Sequence, residues 1–307
     1  MAQLTPGIFK AYDIRGVLGI TLDESIAHQI GQAFGTVARA KGERVVVVGY
    51  DGRLSGPSLA AALAAGLQST GVDVIDIGMV PTPVLYYATH ALDARSGIIV
   101  TGSHNPPDYN GFKMVLAGEA IYGDAITALY QTIVDQAFAQ GSGSLQQHDL
   151  REAYLQRIAS DVVLARPMKI AIDCGNGVAG AFAGDLYRLL GCEVIELFCD
   201  VDGHFPNHHP DPTDPVNLVD LQKLVAEKQL DFGVAFDGDG DRIGAIDGEG
   251  RVIWGDQLLQ IYAADVLGEV PGATIIADVK ASQALFDRVT ELGGQPMMWK
   301  TGHSLIK

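Results

Sequence analysis

The chain has 307 residues, of which 48% are hydrophobic and 19% charged, a composition typical of a globular protein and unlike that of a disordered one. This length allows two domains and part of a third. The formal net charge of −16 argues against nucleic acid and anionic membranes as partners, because such a surface repels polyanions. An anionic substrate therefore requires a local pocket of basic side chains.

The three cysteines, Cys174, Cys192 and Cys199, form no C-x-x-C pair and are odd in number. This usage indicates structural thiols in a reducing compartment rather than a disulfide framework. The first six residues lack the basic stretch and apolar core of a signal peptide, and no run approaches the ~20 apolar residues that span a membrane. We therefore predict a cytoplasmic protein, and we expect it to be a monomer.

Strand and helix patterns alternate through the first half of the chain. A run of β-branched residues, 45–48, has the continuous apolar character of a strand buried on both faces. The further predicted elements are a helix capped by Ser55 and running to Leu67, a strand over 72–77, a helix that opens at Pro81-Thr82-Pro83 and a strand over 96–100. This alternation predicts a mainly parallel sheet, with ligands bound at the carboxyl ends of its strands.

The predicted strand over 96–100 is followed by the sequence TGSHNPPDYNGFK, residues 101–113, which we call the serine loop. Its prolines and glycines restrict its conformation, and Ser103 lies just past the carboxyl end of the strand. His104 and Lys113 supply groups that can transfer a proton or hold an anion. The loop is not a hydrolase nucleophile elbow, because G-x-S-x-G requires a residue between the first glycine and the serine.

The second half of the chain begins after a polar Gly/Ser stretch, 140–144, which is typical of a flexible linker. A helix over 124–138 is predicted before this stretch. After it, helices are predicted over 151–164 and 282–292, and strands over 169–173, 193–198 and 274–278. Three strands that each end in an aspartate-containing turn before a helix suggest three related units. The predicted fold is α/β: repeated three-layer α/β/α domains with mixed, mainly parallel sheets. The predicted domain boundaries are 1–150, 151–253 and 254–307.

Three aspartates, Asp237, Asp239 and Asp241, alternate with glycines directly after a predicted strand; we call residues 237–242 the acidic loop. The glycines allow the backbone to turn all three carboxylates toward one point, and their mutual repulsion requires a cation. Carboxylate oxygens suit a hard ion such as Mg²⁺. A calcium loop of the EF-hand type is excluded, because its sixth position needs glycine but holds Arg242, and its twelfth needs glutamate but holds glycine.

The serine loop and the acidic loop closely resemble those of the α-D-phosphohexomutases, in particular the bacterial phosphomannomutase/phosphoglucomutase branch. The resemblance implies that Ser103 carries a phosphoryl group and exchanges it with a sugar phosphate. It implies that Ser103 and the three aspartates bind Mg²⁺. It also implies three similar domains: residues 1–150 carry the phosphoserine loop, residues 151–253 bind the metal, and residues 254–307 form part of the third.

The same resemblance assigns roles to side chains in and beside the two loops. His104 and Lys113 would handle the protons and the charge around the serine. Arg242 would contact the substrate or a phosphate group. All three roles follow from the match of these positions to the family's motifs, and spacing alone would not assign them.

Further candidate residues come from the two ends of the chain. The segment YDIRG, residues 12–16, runs into the active-site cleft in this family, so Tyr12 and Arg15 are expected to support substrate binding. Lys280 and His303 each follow a predicted strand and match positions that face the cleft from the third domain. We expect them to bind substrate or to transfer protons.

The resemblance therefore predicts a mutase that interconverts the 6-phosphates and 1-phosphates of mannose and glucose, with a hexose 1,6-bisphosphate as intermediate and activator. A phosphoglucosamine mutase shares the metal loop, but Thr101-Gly102 before the serine and Asn110-Gly111-Phe112-Lys113 after it are closer to the mannose/glucose branch. The family continues into a sugar-recognition loop and a fourth domain, which residues 1–307 lack. A second alternative is therefore a Mg²⁺-binding, phosphate-accepting chain without turnover.

Overall fold

The computed structural model describes residues 2–306, apart from the side chain of His303. The described chain forms three β-sheets, and helices pack against each of them. All three sheets contain parallel pairs of strands, and the first two also contain antiparallel pairs. This architecture confirms the predicted α/β class, with repeated units and mixed sheets.

The first sheet contains the two ends of the serine loop. Its strands are β1 (Ile14–Val17), β2 (Val45–Tyr50), β3 (Asp73–Met79), β4 (Gly97–Val100), β5 (Tyr109–Leu116), β6 (Glu119–Ala120) and β7 (Leu145–Gln147), and its helices are α1 (Glu24–Ala40), α2 (Gly56–Ser69), α3 (Thr82–Ala91) and α4 (Asp124–Val134). The strand order is β1-β5-β4-β2-β3-β7, with β6 paired to β5. Strands β4, β2, β3 and β7 run parallel, whereas β5 is antiparallel to its neighbours.

The acidic loop joins two neighbouring strands of the second sheet, and the third sheet follows the second in the chain. The second consists of β8 (Lys169–Asp173), β9 (Glu193–Leu197), β10 (Phe232–Phe236), β11 (Ile243–Asp247) and β12 (Val252–Ile253), in the order β12-β11-β10-β8-β9, with helices α5 (Arg151–Ala159), α6 (Ala183–Leu189) and α7 (Val219–Lys228). The third pairs β13 (Thr274–Asp278) with β14 (Gln295–Trp299), with helices α8 (Gly255–Glu269), α9 (Gln283–Glu291) and α10 (His303–Ile306). Short 3-10 helices lie at Pro6–Ile8, Val178–Ala181 and Pro215–Leu218. No described helix combines the length and the apolar composition needed to cross a membrane.

The residues of β2 alternate between the two faces of the first sheet, as a strand buried on both faces requires. Val46 and Val48 pack with α1, α2 and α4 in one apolar cluster, whereas Val47 packs with α3 and α5 in another. Phe182, from the second half of the chain, belongs to the cluster around Val47. The first and second sheets are therefore joined by a packed apolar boundary.

Two helices end earlier than their sequence patterns predict. Helix α4 stops at Val134 rather than at residue 138, because Gln136 adopts a left-handed φ of +48° that cannot continue the helix. Helix α5 stops at Ala159 rather than at residue 164. There the hydroxyl of Ser160 donates to a carbonyl oxygen of the last turn at 2.8 Å, a local bond that competes with the next helical one.

The Gly/Ser stretch at 140–144 is packed against the first sheet, so the prediction of a flexible linker there is wrong. The N–H groups of Gly141 and Gly143 each donate to a carbonyl oxygen in the last turn of α2, at 2.9 Å. A Cβ atom on Gly143 would lie 1.8 Å from the carbonyl oxygen of Val72. Glycine is required here because only a bare backbone fits this close to α2 and the start of β3.

Ser55 stands at the N-cap of α2, as predicted, but its side chain does not cap the helix. Its hydroxyl instead accepts a hydrogen bond from Asn110 Nδ2 at 2.9 Å. Because Asn110 lies in the serine loop, this bond ties the start of α2 to that loop.

Helices α1 and α2 approach each other at two glycines. A Cβ atom on Gly31 of α1 would lie 2.2 Å from the carbonyl oxygen of Leu63, and one on Gly66 of α2 would lie 2.1 Å from the carbonyl oxygen of His28. No methyl group fits at these distances. The two glycines therefore set the separation of the helices.

We expect Gly66→Ala to lower the free energy of unfolding by about 1–3 kcal/mol, since the added methyl group must push α1 and α2 apart. Gly268→Ala in α8 is the control, because no described heavy atom outside its own helix lies within 4 Å of its Cβ position. That change should be neutral or stabilise α8 by up to about 1 kcal/mol. Urea denaturation followed by circular dichroism measures both variants, and equal stabilities would contradict the close approach of α1 and α2.

Candidate active site

Ser103 has a left-handed backbone conformation, with a φ of +50°, in the loop that follows β4. This conformation is uncommon for a residue with a side chain. The N–H of Ser103 donates to Thr101 Oγ1 at 2.8 Å, and its hydroxyl donates to Asp237 Oδ2 at 3.0 Å. Nδ1 of His104 lies 3.4 Å from the same hydroxyl. The serine loop thus presents the hydroxyl of Ser103 to the acidic loop.

Two buried residues that follow β2, Asp51 and Arg53, contact the backbone of the serine loop. Asp51 Oδ2 accepts from the N–H of Gly102 at 3.1 Å, and the guanidinium of Arg53 donates to the carbonyl oxygen of Ser103 at 2.9 Å. No local sequence pattern marked either residue as functional. The strand order could have indicated them. Because β2 and β4 are parallel neighbours, the residues after their carboxyl ends meet at one edge of the sheet.

The acidic loop follows β10 and brings three carboxylates together. Asp237 and Asp239 are fully buried, whereas Asp241 is exposed. One carboxylate oxygen from each of the three lies within 4.8 Å of the others. Asp237 Oδ1 accepts the N–H groups of Asp241 at 3.0 Å and Arg242 at 3.1 Å, and Gly240 adopts a φ of +69° that turns the chain. The loop's own backbone therefore holds the carboxylate of Asp237 in position.

The ammonium group of Lys113 bridges two of these carboxylates. Its Nζ lies 2.7 Å from Asp239 Oδ2 and 2.5 Å from Asp241 Oδ2. Burial acts to lower the pKa of Lys113, but the charges of Asp239 and Asp241 raise it above its usual value. Burial acts to raise the pKa of Asp239, yet the Lys113 ammonium holds it below its usual value. Burial and the two neighbouring carboxylates raise the pKa of Asp237.

The acidic loop has a carboxylate oxygen that is free to bind a cation. Asp239 Oδ1 is buried and has no hydrogen-bond partner within the described part of the chain. Such an orphaned oxygen is rare and costly. Three convergent carboxylates with an orphaned oxygen therefore fit a hard divalent cation.

Thr82, at the start of α3, holds the acidic loop against the first sheet. Its N–H donates to the carbonyl oxygen of Asp239 at 2.9 Å, and its hydroxyl donates to Asp239 Oδ2. The sequence marked Thr82 only as part of a helix start. Its contact with a residue so distant in the chain follows from the packing of the two sheets, which no local pattern encodes.

A cleft of about 680 Å³ opens beside Ser103. The predicted site residues that line it are Tyr12, Arg15, Ser103, His104, Lys113, Asp241 and Arg242. Asp278, at the end of β13, and Thr301 and Gly302, after β14, line it from the third sheet. The cleft thus collects basic side chains in a chain of net charge −16, as an anionic ligand requires.

The basic side chains of the cleft are fixed to different degrees. Arg15 pairs through its Nε with Asp13 Oδ2 at 2.9 Å and donates through Nη1 to the carbonyl oxygen of Thr101. Arg242 is more open: its side chain is 40% exposed, and its Nε lies 3.9 Å from the nearest carboxylate oxygen of the acidic loop. Burial and the charge of Arg242 lower the pKa of His104, which favours a neutral imidazole beside Ser103.

The third sheet reaches the cleft through its last loop. The hydroxyl of Tyr12 donates to the carbonyl oxygen of Thr301 at 3.0 Å. Lys280 is not among the described residues that line the cleft; it lines a separate pocket with Trp254 and Asp256. The side chain of His303 lies outside the described part of the chain. The predicted roles of Lys280 and His303 therefore stay predictions.

Three family models match consecutive parts of the chain. Their descriptions are phosphoglucomutase/phosphomannomutase alpha/beta/alpha domain I over residues 6–140, domain II over residues 152–250 and domain III over residues 254–307. The matches include both the serine loop and the acidic loop. Each of the three sheets also falls within or close to one matched range.

Comparison with known proteins gives the same result. The chain is 53% identical over 304 residues to a phosphomannomutase/phosphoglucomutase of Pseudomonas aeruginosa, covering 99% of this chain and 66% of the relative. It is 49% identical over 309 residues to a phosphoglucomutase of Neisseria gonorrhoeae, covering 100% of this chain and 67% of the relative. The crystal structure of a phosphoglucomutase/phosphomannomutase family protein from Burkholderia thailandensis superposes with a TM-score of 0.96 at 54% identity, covering 99% of this chain and 68% of that one.

The chain spans about two thirds of the length of the curated relatives that it matches. The identity extends over nearly all of its residues, and the family models follow one another in the expected order. The chain therefore belongs to the α-D-phosphohexomutase family, in its bacterial phosphomannomutase/phosphoglucomutase branch.

Proposed function

We propose that this protein is a mutase that interconverts the 6-phosphates and 1-phosphates of mannose and glucose through a phosphorylated Ser103 and a hexose 1,6-bisphosphate. The observation that carries the proposal is the position of the Ser103 hydroxyl, 3.0 Å from Asp237 and at the edge of a cleft lined by basic side chains. The names of the relatives, phosphomannomutase/phosphoglucomutase and phosphoglucomutase, support the choice of sugars.

Ser103 acts as the acceptor and donor of the phosphoryl group in this proposal. Its Oγ forms a bond to phosphorus, the bond between phosphorus and a sugar oxygen breaks, and the hydroxyl proton of the serine replaces the phosphoryl group on the sugar. In the reverse direction a sugar hydroxyl takes the phosphoryl group and Ser103 regains a proton. Transfer first to one sugar oxygen and later from the other converts a 1-phosphate into a 6-phosphate.

The metal of this site is proposed to be Mg²⁺, held by Asp237, Asp239 and Asp241 together with the oxygen of Ser103. When bound, the ion neutralises charge on the phosphoryl oxygens. Backbone N–H groups of the acidic loop hold the carboxylate of Asp237, Thr82 holds that of Asp239, and Lys113 holds that of Asp241. The orphaned Oδ1 of Asp239 is the observation that supports a cation here.

The side chains around Ser103 hold charge and protons. We propose that Arg15 and Arg242 bind phosphate oxygens, since both are cationic and both line the cleft. His104, with its pKa lowered, can accept a proton near the serine, and the charged Lys113 stabilises negative charge beside the acidic loop. Tyr12 supports the cleft from its contact with the third sheet.

The oligomeric state and the cellular location belong to the same proposal. We propose a monomer that works in the cytoplasm; the three free cysteines support a reducing compartment. Its ligands are small sugar phosphates.

We expect Ser103→Ala to abolish the transfer of phosphate from glucose 1,6-bisphosphate to the chain, because alanine has no oxygen that can accept it. Ser58→Ala is the control, since the Ser58 hydroxyl donates to Glu24 on the exposed side of α2 at 2.8 Å. Intact-mass spectrometry after incubation with Mg²⁺ measures the phosphate on each variant. Equal phosphate on both variants would contradict the role of Ser103.

Coupled assays that offer mannose 1-phosphate, glucose 1-phosphate and glucosamine 1-phosphate separate the proposal from its alternatives. Turnover of the first two that depends on Ser103 supports the proposed function. Preference for glucosamine 1-phosphate would instead indicate a phosphoglucosamine mutase. Phosphate acceptance by Ser103 without turnover of any sugar would indicate a chain that performs only the first half of the reaction.

We expect Asp239→Asn to weaken Mg²⁺ binding by about 10- to 100-fold or more, because the amide removes one negative charge and one strong oxygen ligand. Asp265→Asn is the control: Asp265 is exposed on α8, away from the acidic loop. Isothermal titration calorimetry with MgCl₂ gives the Kd of both variants. A Kd for Asp239→Asn that matches the control would rule out the acidic loop as the metal site.

A further inference from the structure

We propose that Arg53 is a positioning residue: its guanidinium fixes the backbone of the serine loop so that the Ser103 hydroxyl faces Asp237. The inference rests on the proposed function, because it concerns the residue that would carry the phosphoryl group. Arg53 is not among the described residues that line the cleft, so it would act through the loop and not through the substrate.

Arg53 is 2% exposed, and its guanidinium binds four backbone carbonyl oxygens of the serine loop. Nη1 donates to Pro106 at 2.6 Å and to Tyr109 at 2.9 Å, and Nη2 donates to Ser103 at 2.9 Å and to Asn105 at 2.5 Å. One planar cation therefore donates to four backbone carbonyl groups between Ser103 and Tyr109, which no single-donor side chain could do.

The orientation of the guanidinium is set by groups outside the serine loop. Its Nε lies 3.4 Å from Asp51 Oδ2, and its central carbon lies 5.1 Å from the ring centre of Phe205, in a cation–π contact. Phe205 lies in the connection between β9 and α7, so a segment from the second half of the chain also contacts Arg53. A Cβ atom on Gly102 would lie 2.1 Å from Nε, which shows how closely the loop passes over the guanidinium.

The bond from Arg53 to the carbonyl of Ser103 bears directly on the position of the hydroxyl. Ser103 has a φ of +50°, a conformation that a residue with a side chain keeps only when its surroundings hold it there. Arg53 holds the carbonyl side of the residue, and Thr101 Oγ1 holds its N–H at 2.8 Å. Without the guanidinium, the loop would relax toward a commoner conformation and move Oγ away from Asp237.

The test compares Arg53→Lys and Arg53→Met with the control Arg39→Met. Lysine keeps a positive charge near Asp51 but lacks the planar fork that reaches four carbonyl groups at once. Arg39 is a matched control, because its Nη1 also donates to backbone carbonyl groups, those of Thr70 and Gln140, but at a distance from the serine loop. Rapid-quench experiments follow the phosphorylation of Ser103 by glucose 1,6-bisphosphate with Mg²⁺ present. They give the rate of phosphorylation at saturation, the half-saturating concentration of glucose 1,6-bisphosphate and the final amount of phosphate on the chain.

We expect both Arg53 variants to be phosphorylated about 100-fold more slowly at saturation, as displacement of a reacting group by about 1 Å predicts. The half-saturating concentration should change less than about threefold, since Arg53 does not line the cleft, and the final amount of phosphate should be complete. Arg39→Met should match the unchanged chain. If the Arg53 variants bound less phosphate in the end but were phosphorylated at the unchanged rate, Arg53 would have only a structural role, and the proposal would be overturned.

Amide hydrogen exchange tests the same proposal without phosphoryl transfer. Arg53→Lys should lose protection within residues 101–111, whereas Arg39→Met should not. Unchanged protection of that segment in Arg53→Lys would overturn the positioning role. If the unchanged chain accepts no phosphate, the proposed function fails, and the exchange result still decides the role of Arg53.

A further variant, Gly102→Ala, tests the same contact if Arg53→Met does not fold. This variant keeps the guanidinium of Arg53. The added methyl group would lie 2.1 Å from Nε and must displace either the loop or Arg53. We expect Ser103 of this variant to be phosphorylated slowly but in the end completely, as in Arg53→Lys. Phosphorylation of Gly102→Ala at the unchanged rate would contradict the dependence of Ser103 on this contact.

Discussion

The meeting of the serine loop with the acidic loop is the constraint on which the site depends. Three carboxylates within five residues repel one another, and two of them are buried. Two of them, Asp239 and Asp241, pair with Lys113, which belongs to the first sheet, while the aspartates follow a strand of the second. An unpaired buried charge is strongly destabilising, so the two sheets must be packed at this edge before the carboxylates can be held together.

The same packing explains why a serine in an uncommon conformation is kept. Arg53 and Thr82 each reach across a long stretch of chain, the first to the backbone around Ser103 and the second to Asp239. Gly238 passes so close to the serine loop that its Cβ would lie 2.3 Å from the carbonyl oxygen of Ser103. These contacts make the geometry of the site a property of the folded pair of sheets and not of either loop alone.

The sequence predicted those features that depend on neighbouring residues. The run 45–48 and the alternation of Asp237, Asp239 and Asp241 with glycine are local patterns, and the structure contains the strand and the converging carboxylates. The family resemblance singled out Ser103 as a candidate site residue, because the motif of its loop is long and specific. The fold class could be predicted because strand and helix patterns alternate along the chain.

What the sequence did not predict depends on partners far away in the chain. Nothing near Arg53 indicates that its guanidinium meets carbonyl groups some fifty residues later. The glycines at 140–144 look like a linker until their contact with α2 is known. Helix α4 ends early because Gln136 takes a left-handed conformation. Glutamine seldom adopts this conformation, so the residue type did not indicate that the helix would end there.

The measurement that tests most directly whether Ser103 and the aspartates form one site is ³¹P NMR of the chain after incubation with glucose 1,6-bisphosphate. Spectra would be recorded with Mg²⁺ and then with Mn²⁺, and the resonance on Ser103 would be assigned by its loss in Ser103→Ala. We predict a phosphoserine resonance that Mn²⁺ broadens beyond detection, because the paramagnetic ion would lie beside the phosphate. A resonance that stays sharp when Mn²⁺ saturates the chain would place the metal away from Ser103 and rule out a single shared site.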